Sequence, residues 1–424
     1  MPEEKNGPKI HYAWVVFAIS VLMVFTVLGF CGSTRPLYLT AVTEGLQIPR
    51  SLYSLGNSMR YITTALINLL FGVLIARFGA RKMIAMGFGC LIGSCAVYSF
   101  TQNVIGVYVG DVLLGLGLAW TTTTMVGFVV EKWFTSKKGT IMGFVLAANG
   151  IGGACATQIL SPVINAGIDG WRNAYRITAV VLLCVGVFVL LLLRNTPAQK
   201  GLKPLGDGTA PGKKRGREWQ GLEYRELRKR KYYYVGLISV FLTGMLLQSL
   251  VSITSAHMKD RGLGPELIAT ALSIHSVVLT LAKTMTGISY DKFGLRITMI
   301  ICNICAVAAI LLLAFVSSGP MAIAAETVSS FALPLETIML PLITSELFGG
   351  KAYGQTLGQV VAVNNLGYAV GSPLMNVCYD IFGTYTGVMA AMAGVMIVVA
   401  VMMQYAITAA HKERVALEAG MTKA

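Results

Sequence analysis

The stretch GISYDKFGLR at 287–296 lies between two long apolar runs, and a relative of it, GVLIARFGARK, occupies 72–82 between two others. Gly72 and Gly287 stand 215 positions apart, as do Gly79 and Gly294. The same offset joins Gly29 to Gly244, Glu131 to Glu346, Gly139 to Gly354, Gly143 to Gly358, Asn149 to Asn364 and Gly152 to Gly367. Because 215 is about half of 424 residues, the chain reads as one unit used twice with a linker between the copies.

Composition says what kind of unit this is. Only 12% of residues are charged, 55% are hydrophobic and the mean hydropathy is +0.68, which excludes a soluble globule and places the chain in a bilayer. The expected architecture is all-α, with twelve spans near 12–39, 51–76, 82–101, 104–129, 139–164, 173–193, 232–257, 266–290, 296–317, 320–346, 355–378 and 384–408. The first run is too long for the core of a cleaved signal peptide and is expected to stay as a helix. Residues 1–194 form one six-helix half, 195–231 a basic linker, and 232–424 the second half with a short tail.

A net charge of +15 raises nucleic acid as a partner, so the location of the charge decides. Of 34 Lys and Arg, 26 fall on the side of both termini, five on the other side and three inside spans. That bias puts both termini in the cytoplasm of a multi-pass protein of the cell membrane, and nucleic acid drops out. Eleven basic residues against four acids in 195–231 fit attraction to anionic lipid. The eight cysteines lie in apolar runs without ligand spacing, so neither a disulfide framework nor a metal site is expected.

Charges inside spans carry the functional signal, because each costs at least ~2.5 kcal/mol unless it faces a wet interior. The basic set is Arg35, Arg60 and Lys283; the acidic set is Asp111, Glu326 and Glu336; His275 joins them. Asp111 and Glu326 are also related by 215 and are expected near the outer edge, in solvent. Opposite charges in a low-dielectric interior tend to pair, so some of these belong to structural or gate ion pairs. Prolines 334 and 341 flank Glu336 and loosen that helix.

GISYDKFGLR resembles the signature loop of the major facilitator superfamily, and the likeness covers essentially the whole chain. Gly287, Asp291, Gly294 and Arg296 match the signature; the first copy keeps Gly72, Gly79 and Arg81 but has Ala76 where the family's acid stands. Asp111 stands where many proton-coupled members carry an arginine. WFTSKKGTIMGFVLAANGIGG at 133–153 and the surroundings of Lys283 are most similar to the oxalate:formate antiporter and monocarboxylate transporter branch. The resemblance implies a gating role for the loop residues and an anion-binding role for Lys283, which replaces the branch's usual arginine.

From these readings the chain is expected to be a carrier of a small organic anion, a mono- or dicarboxylate, working by alternating access with proton symport or anion exchange. Lys283 and Arg35, with Arg60, Asn149 and Asn364, are the candidate substrate ligands, and Glu336 and His275 the candidate proton-coupling groups. The alternative is proton-driven efflux of lipophilic cations through Glu336 and Asp111. No HExxH, phosphate-binding loop or nucleophilic triad occurs, so neither an enzyme nor a cofactor is expected, and a monomer suffices.

Overall fold

The computed structural model describes residues 11–48, 50–164, 166–206 and 221–422. Among them the chain is helical almost throughout. Eight helices are long and apolar enough to cross a bilayer, and a ninth if Gly319–Glu336 and Met339–Phe348, bent by 43°, count as one span.

Neighbour contacts separate the remaining spans. Asn68 and Thr64 meet Thr124 and Gly115, so 50–69 runs parallel to 104–133, whereas Gly110 meets Ser94 and Gly117 meets Leu91, so 80–100 runs antiparallel to it. The chain therefore reverses around Gly79, whose φ of 74° lies in the left-handed region that favours glycine. Gly294, with φ 77°, turns the other long run in the same way. Among the described residues twelve long helices then follow: α1 (13–46), α2 (50–78), α3 (80–100), α4 (104–133), α5 (Lys138–Ile164), α6 (Gly170–Leu192), α7 (Lys231–Asp260), α8 (265–293), α9 (295–314), α10 (319–348), α11 (Tyr353–Phe382) and α12 (Thr386–Thr422).

Two of them, α2 and α11, miss the apolarity of a simple span because each turns a polar face inward. The structure lengthens several expected spans. The first continues to Leu46 through a π-helical turn, Gly29–Ser33.

The 215-residue offset is also a contact map. Gly29 packs on the backbone of Gly152, and their counterparts Gly244 and Gly367 pack on each other, each close approach leaving no room for a side chain. Between the halves, Gly72 meets Gln355 while Gly287 meets Gly139, and Gly358 meets Asn68 while Gly143 meets Lys283. So α2 lies against α11 and α5 against α8. Twelve crossings put the two ends of the described chain on one face of the bundle, together with the basic linker, and this face is the basic side of the molecule.

The halves are tied together on that side. Asp291 accepts hydrogen bonds from the Gly139 and Thr140 N–H groups at 3.0 and 2.6 Å. Ser345 donates to Glu131, which also holds Lys138 at 2.7 Å, and the Tyr353 hydroxyl donates to the Gly127 carbonyl at 3.4 Å. Part of the linker, 207–220, lies outside the described residues. Its exit contains a four-residue helix, Tyr224–Leu227, with Leu227 buried and Tyr224 joined to Gln359 of α11.

Candidate functional site

A cavity of about 240 Å³ lies between the halves, walled by α2 and α4 on one side, α10 and α11 on the other, and α5 and α8 between them. Its polar wall holds Arg60, Lys283, Glu336, Asn149 and Asn364, five of the residues singled out from the sequence. The two halves contribute related positions: Asn149 and Asn364 are 215 apart, and Lys283 is the counterpart of Asn68, which also lines the cavity.

Lys283 is 6% exposed, and its ammonium group has one polar neighbour, the Leu146 carbonyl at 3.4 Å. Among the described residues no carboxylate lies within ion-pair distance of it. Arg60 stacks over the Tyr61 ring at 4.4 Å, and its Nε has no hydrogen-bond partner. Glu336 accepts from the Tyr368 hydroxyl at 3.2 Å through one oxygen, while its other oxygen has no partner. Neither does Oδ1 of Asn364 nor Oγ1 of Thr337. Buried polar atoms are paired in most folded proteins; among the described residues four of the ten unpaired side-chain atoms belong to residues of this wall.

Both α4 and α10 break at this level, at Thr122 and Thr337, which are again 215 apart. Neither residue has helical backbone angles. Below the breaks, the helices restart as Thr123–Trp133 and Met339–Phe348. Interrupted helices at mid-membrane are tolerated where they border a cavity, and their free backbone groups become available to a solute. These two threonines escaped the sequence reading, although their offset matches that of the other repeated residues.

Arg35 is not part of this cavity. It donates to Asn57 at 3.2 Å and to the Tyr98 hydroxyl at 2.8 Å, and forms an ion pair with Asp111. The reason lies in the π-helical turn. Seven residues after Leu28, which does line the cavity, Arg35 would share its face in a regular helix; one inserted residue rotates the outer part of α1 by roughly 100°. Asp111 is fully buried, not solvated at the edge, and it also accepts from Tyr98 at 2.7 Å.

His275 is likewise drawn elsewhere. Its Nδ1 faces Glu326 at 2.9 Å, with Ser329 at 3.0 Å, and Glu326 too is buried rather than solvated. The loop residues Gly72, Gly79, Arg81, Gly287, Asp291, Gly294 and Arg296 lie on the basic side. Arg81 there donates to the Leu190 carbonyl at 2.9 Å, and its N–H donates to Asn195 at 2.7 Å. The Arg296 carbonyl accepts from Gln404 at 3.2 Å.

The family model described as Major Facilitator Superfamily matches residues 14–265 and 236–422. The chain belongs to the major facilitator superfamily. Among curated relatives, the MFS-type transporter YcxA of Bacillus subtilis (strain 168) is 24% identical over 60% of this chain and 58% of its own length. Monocarboxylate transporter 12 of Mus musculus is 24% identical over 68% of this chain and 63% of its own. The chain thus spans less than two thirds of either relative.

Solved structures agree on the fold. The proton:xylose symporter XylE superposes with a TM-score of 0.73 at 16% identity, covering 93% of this chain and 95% of that one. FucP in the outward conformation gives 0.73 at 16%, covering 93% and 99%. The human organic anion transporter MFSD10 gives 0.66 at 15%, covering 94% and 100%. Relatives of this kind are transporters, not enzymes.

Proposed function

We propose that this superfamily member is a secondary active transporter of a small organic anion, with the substrate carboxylate held by Lys283 in the cavity between the halves. The observation that carries the reading is the buried ammonium group of Lys283, which has no carboxylate partner among the described residues. An uncompensated buried charge costs several kcal/mol, and an anionic ligand removes that cost. Arg60 adds a second cation to the wall, and Asn149 and Asn364 supply amides from each half. The similarity to proteins named as monocarboxylate transporters points the same way. A cavity with two cations against one carboxyl suits a lipophilic cation poorly.

The positive-inside bias of Lys and Arg orients the basic side to the cytoplasm. Closure there by Asp291 and Glu131 then corresponds to an outward-facing state of an alternating-access cycle in the cell membrane. The carrier works as a monomer, and its basic linker rests on anionic lipid. Glu336, a buried carboxyl without a counter-charge, is the group that exchanges a proton during coupling, by symport or in support of anion exchange.

Purified protein should be screened for thermal stabilisation by mono- and dicarboxylates, phosphate esters and lipophilic cations. A ligand at 100 times its Kd stabilises the folded state by about 2.7 kcal/mol. A carboxylate that stabilises the native chain and not Lys283→Gln is the expected result. Stabilisation by cations alone, or an undiminished carboxylate effect in Lys283→Gln, would overturn the assignment.

A further inference from the structure

The 215-residue offset relates Asp111 to Glu326, and both acids are buried, yet their countercharges differ in kind. Asp111 is paired with Arg35, whose guanidinium keeps its proton at any ordinary pH. Glu326 is paired with His275, the side chains 5% and 13% exposed and Oε2 2.9 Å from Nδ1. An imidazole is a cation only when it binds a second proton. The C-terminal half therefore holds a switchable version of a contact that is permanent in the N-terminal half.

The surroundings decide which ring nitrogen takes that proton. Nδ1 faces four oxygens: the Glu326 carboxylate, the Glu326 carbonyl at 3.1 Å, and the Ser329 and Ser330 hydroxyls at 3.0 and 3.2 Å. Each serine donates to the Glu326 carbonyl at 2.9 Å, so Nδ1 is the donor toward the carboxylate. Nε2 has no protein partner among the described residues and keeps accessible surface, so it is open to a proton carried by water.

We infer that His275 and Glu326 form a proton-binding site outside the substrate cavity, at which protonation of Nε2 fastens the outer segment of α10 to α8. With that proton the pair is an imidazolium against a carboxylate and is net neutral. Without it, a buried carboxylate faces an uncharged partner, the costlier arrangement in a low-dielectric interior. The segment concerned, 319–336, ends at the break at Thr337, while the part beyond the break is tied to the other half through Ser345 and Glu131. The proton thus acts on one side of a hinge.

Other ionisable groups stand on neighbouring helices. Cys155 is on α5, Glu336 lines the cavity, and His257 of α7 has its Nε2 on the Leu313 carbonyl at 3.0 Å, near Lys259, Asp260 and Arg261 at the outer end of that helix. On α8 itself Glu266 lies nine positions before His275 and Lys283 eight after, and α9 and α12 carry their charges toward the basic side. Among the described residues, none of these pairs with His275 or Glu326.

This inference goes beyond the anion-carrier reading and needs no substrate to test, so neither result bears on that reading. The full chain with isotope-labelled histidine, in lipid nanodiscs, is titrated by NMR, the His275 signal being the one lost in His275→Gln. The neutral ring should carry its proton on Nδ1 and gain a second between about pH 8 and pH 5. A neutral ring protonated on Nε2, or no change over that range, overturns the site.

Backbone hydrogen exchange over 319–332, corrected for the intrinsic effect of pH, reads the fastening. Protection should be greater by about fivefold or more at the acid end of the range. His275→Arg, which copies the permanent cation of the Arg35 pair, should stay protected at both ends. His275→Gln and Glu326→Gln should stay loose at both, and they decide the matter if the larger arginine prevents folding. Equal protection of the unaltered chain at the two ends, or a difference that persists in His275→Gln, overturns the inference.

Discussion

Asp291 is the residue through which closure of the basic side can be weighed. Its carboxylate accepts two N–H groups of α5, from Gly139 and Thr140, at the end of that helix where the dipole favours an anion. A hydrogen bond to a charged group contributes about 1.5–3 kcal/mol, and the exposed position of Asp291 argues for the low end. Asparagine keeps one acceptor oxygen. Asp291→Asn should therefore lose about one bond and the attraction to the dipole, roughly 1.5 kcal/mol, or about tenfold in the equilibrium between closed and open arrangements of the basic side.

The assay is a distance distribution between spin labels at Ser136 and Lys351, exposed positions on the two halves, in a background lacking the eight native cysteines. Asp291→Asn should populate longer distances. Ala76→Asp should do the reverse, because it places an acid at the related position of the first copy, near the start of α11. An unchanged distribution in a folded Asp291→Asn protein would refute the reasoning and place the closing energy in Glu131 and the packed glycines instead.

Three further outcomes concern the buried charges and the turns. Asp111→Asn strips the countercharge from buried Arg35 and should destabilise the protein by about 3–5 kcal/mol in thermal unfolding, whereas Arg35→Met with Asp111→Leu should recover most of that loss. If the double variant is as unstable as the single one, the pair is not the source of the cost. Glu336→Gln should make uptake insensitive to an imposed pH gradient while sparing substrate exchange; a retained pH dependence would place the coupling proton elsewhere. Gly294→Ala should cost about 1–2 kcal/mol, since its φ of 77° suits no residue with a Cβ, and a neutral effect on the melting temperature would contradict the turn geometry.

Much of the architecture was legible because apolar runs and the 215-residue offset are properties of the chain itself. Lys283, Arg60 and Glu336, singled out because a charge in a span is costly, do line one cavity. The features that stayed hidden depend on helix rotation. Arg35 meets Asp111, 76 positions away, only because a π-helical turn rotates the outer part of α1, and nothing in GFCGS announces that turn by composition. By sequence His275 reads as an interior group and Glu326 as one solvated near the outer edge. Their pairing needs α8 and α10 side by side at that depth.

The reversals at Gly79 and Gly294 have a mechanical consequence. A connection made of one residue has no slack, so α2 cannot slide along α3, nor α8 along α9; each hairpin is a stiff lever. Of the levers, α2 packs on α11 and α8 packs on α5, so each spans the seam between the halves. In the proposed cycle, motion about the seam would then be rotation of whole bundles, with flexure left to the breaks at Thr122 and Thr337, one large adjustment in place of many small ones.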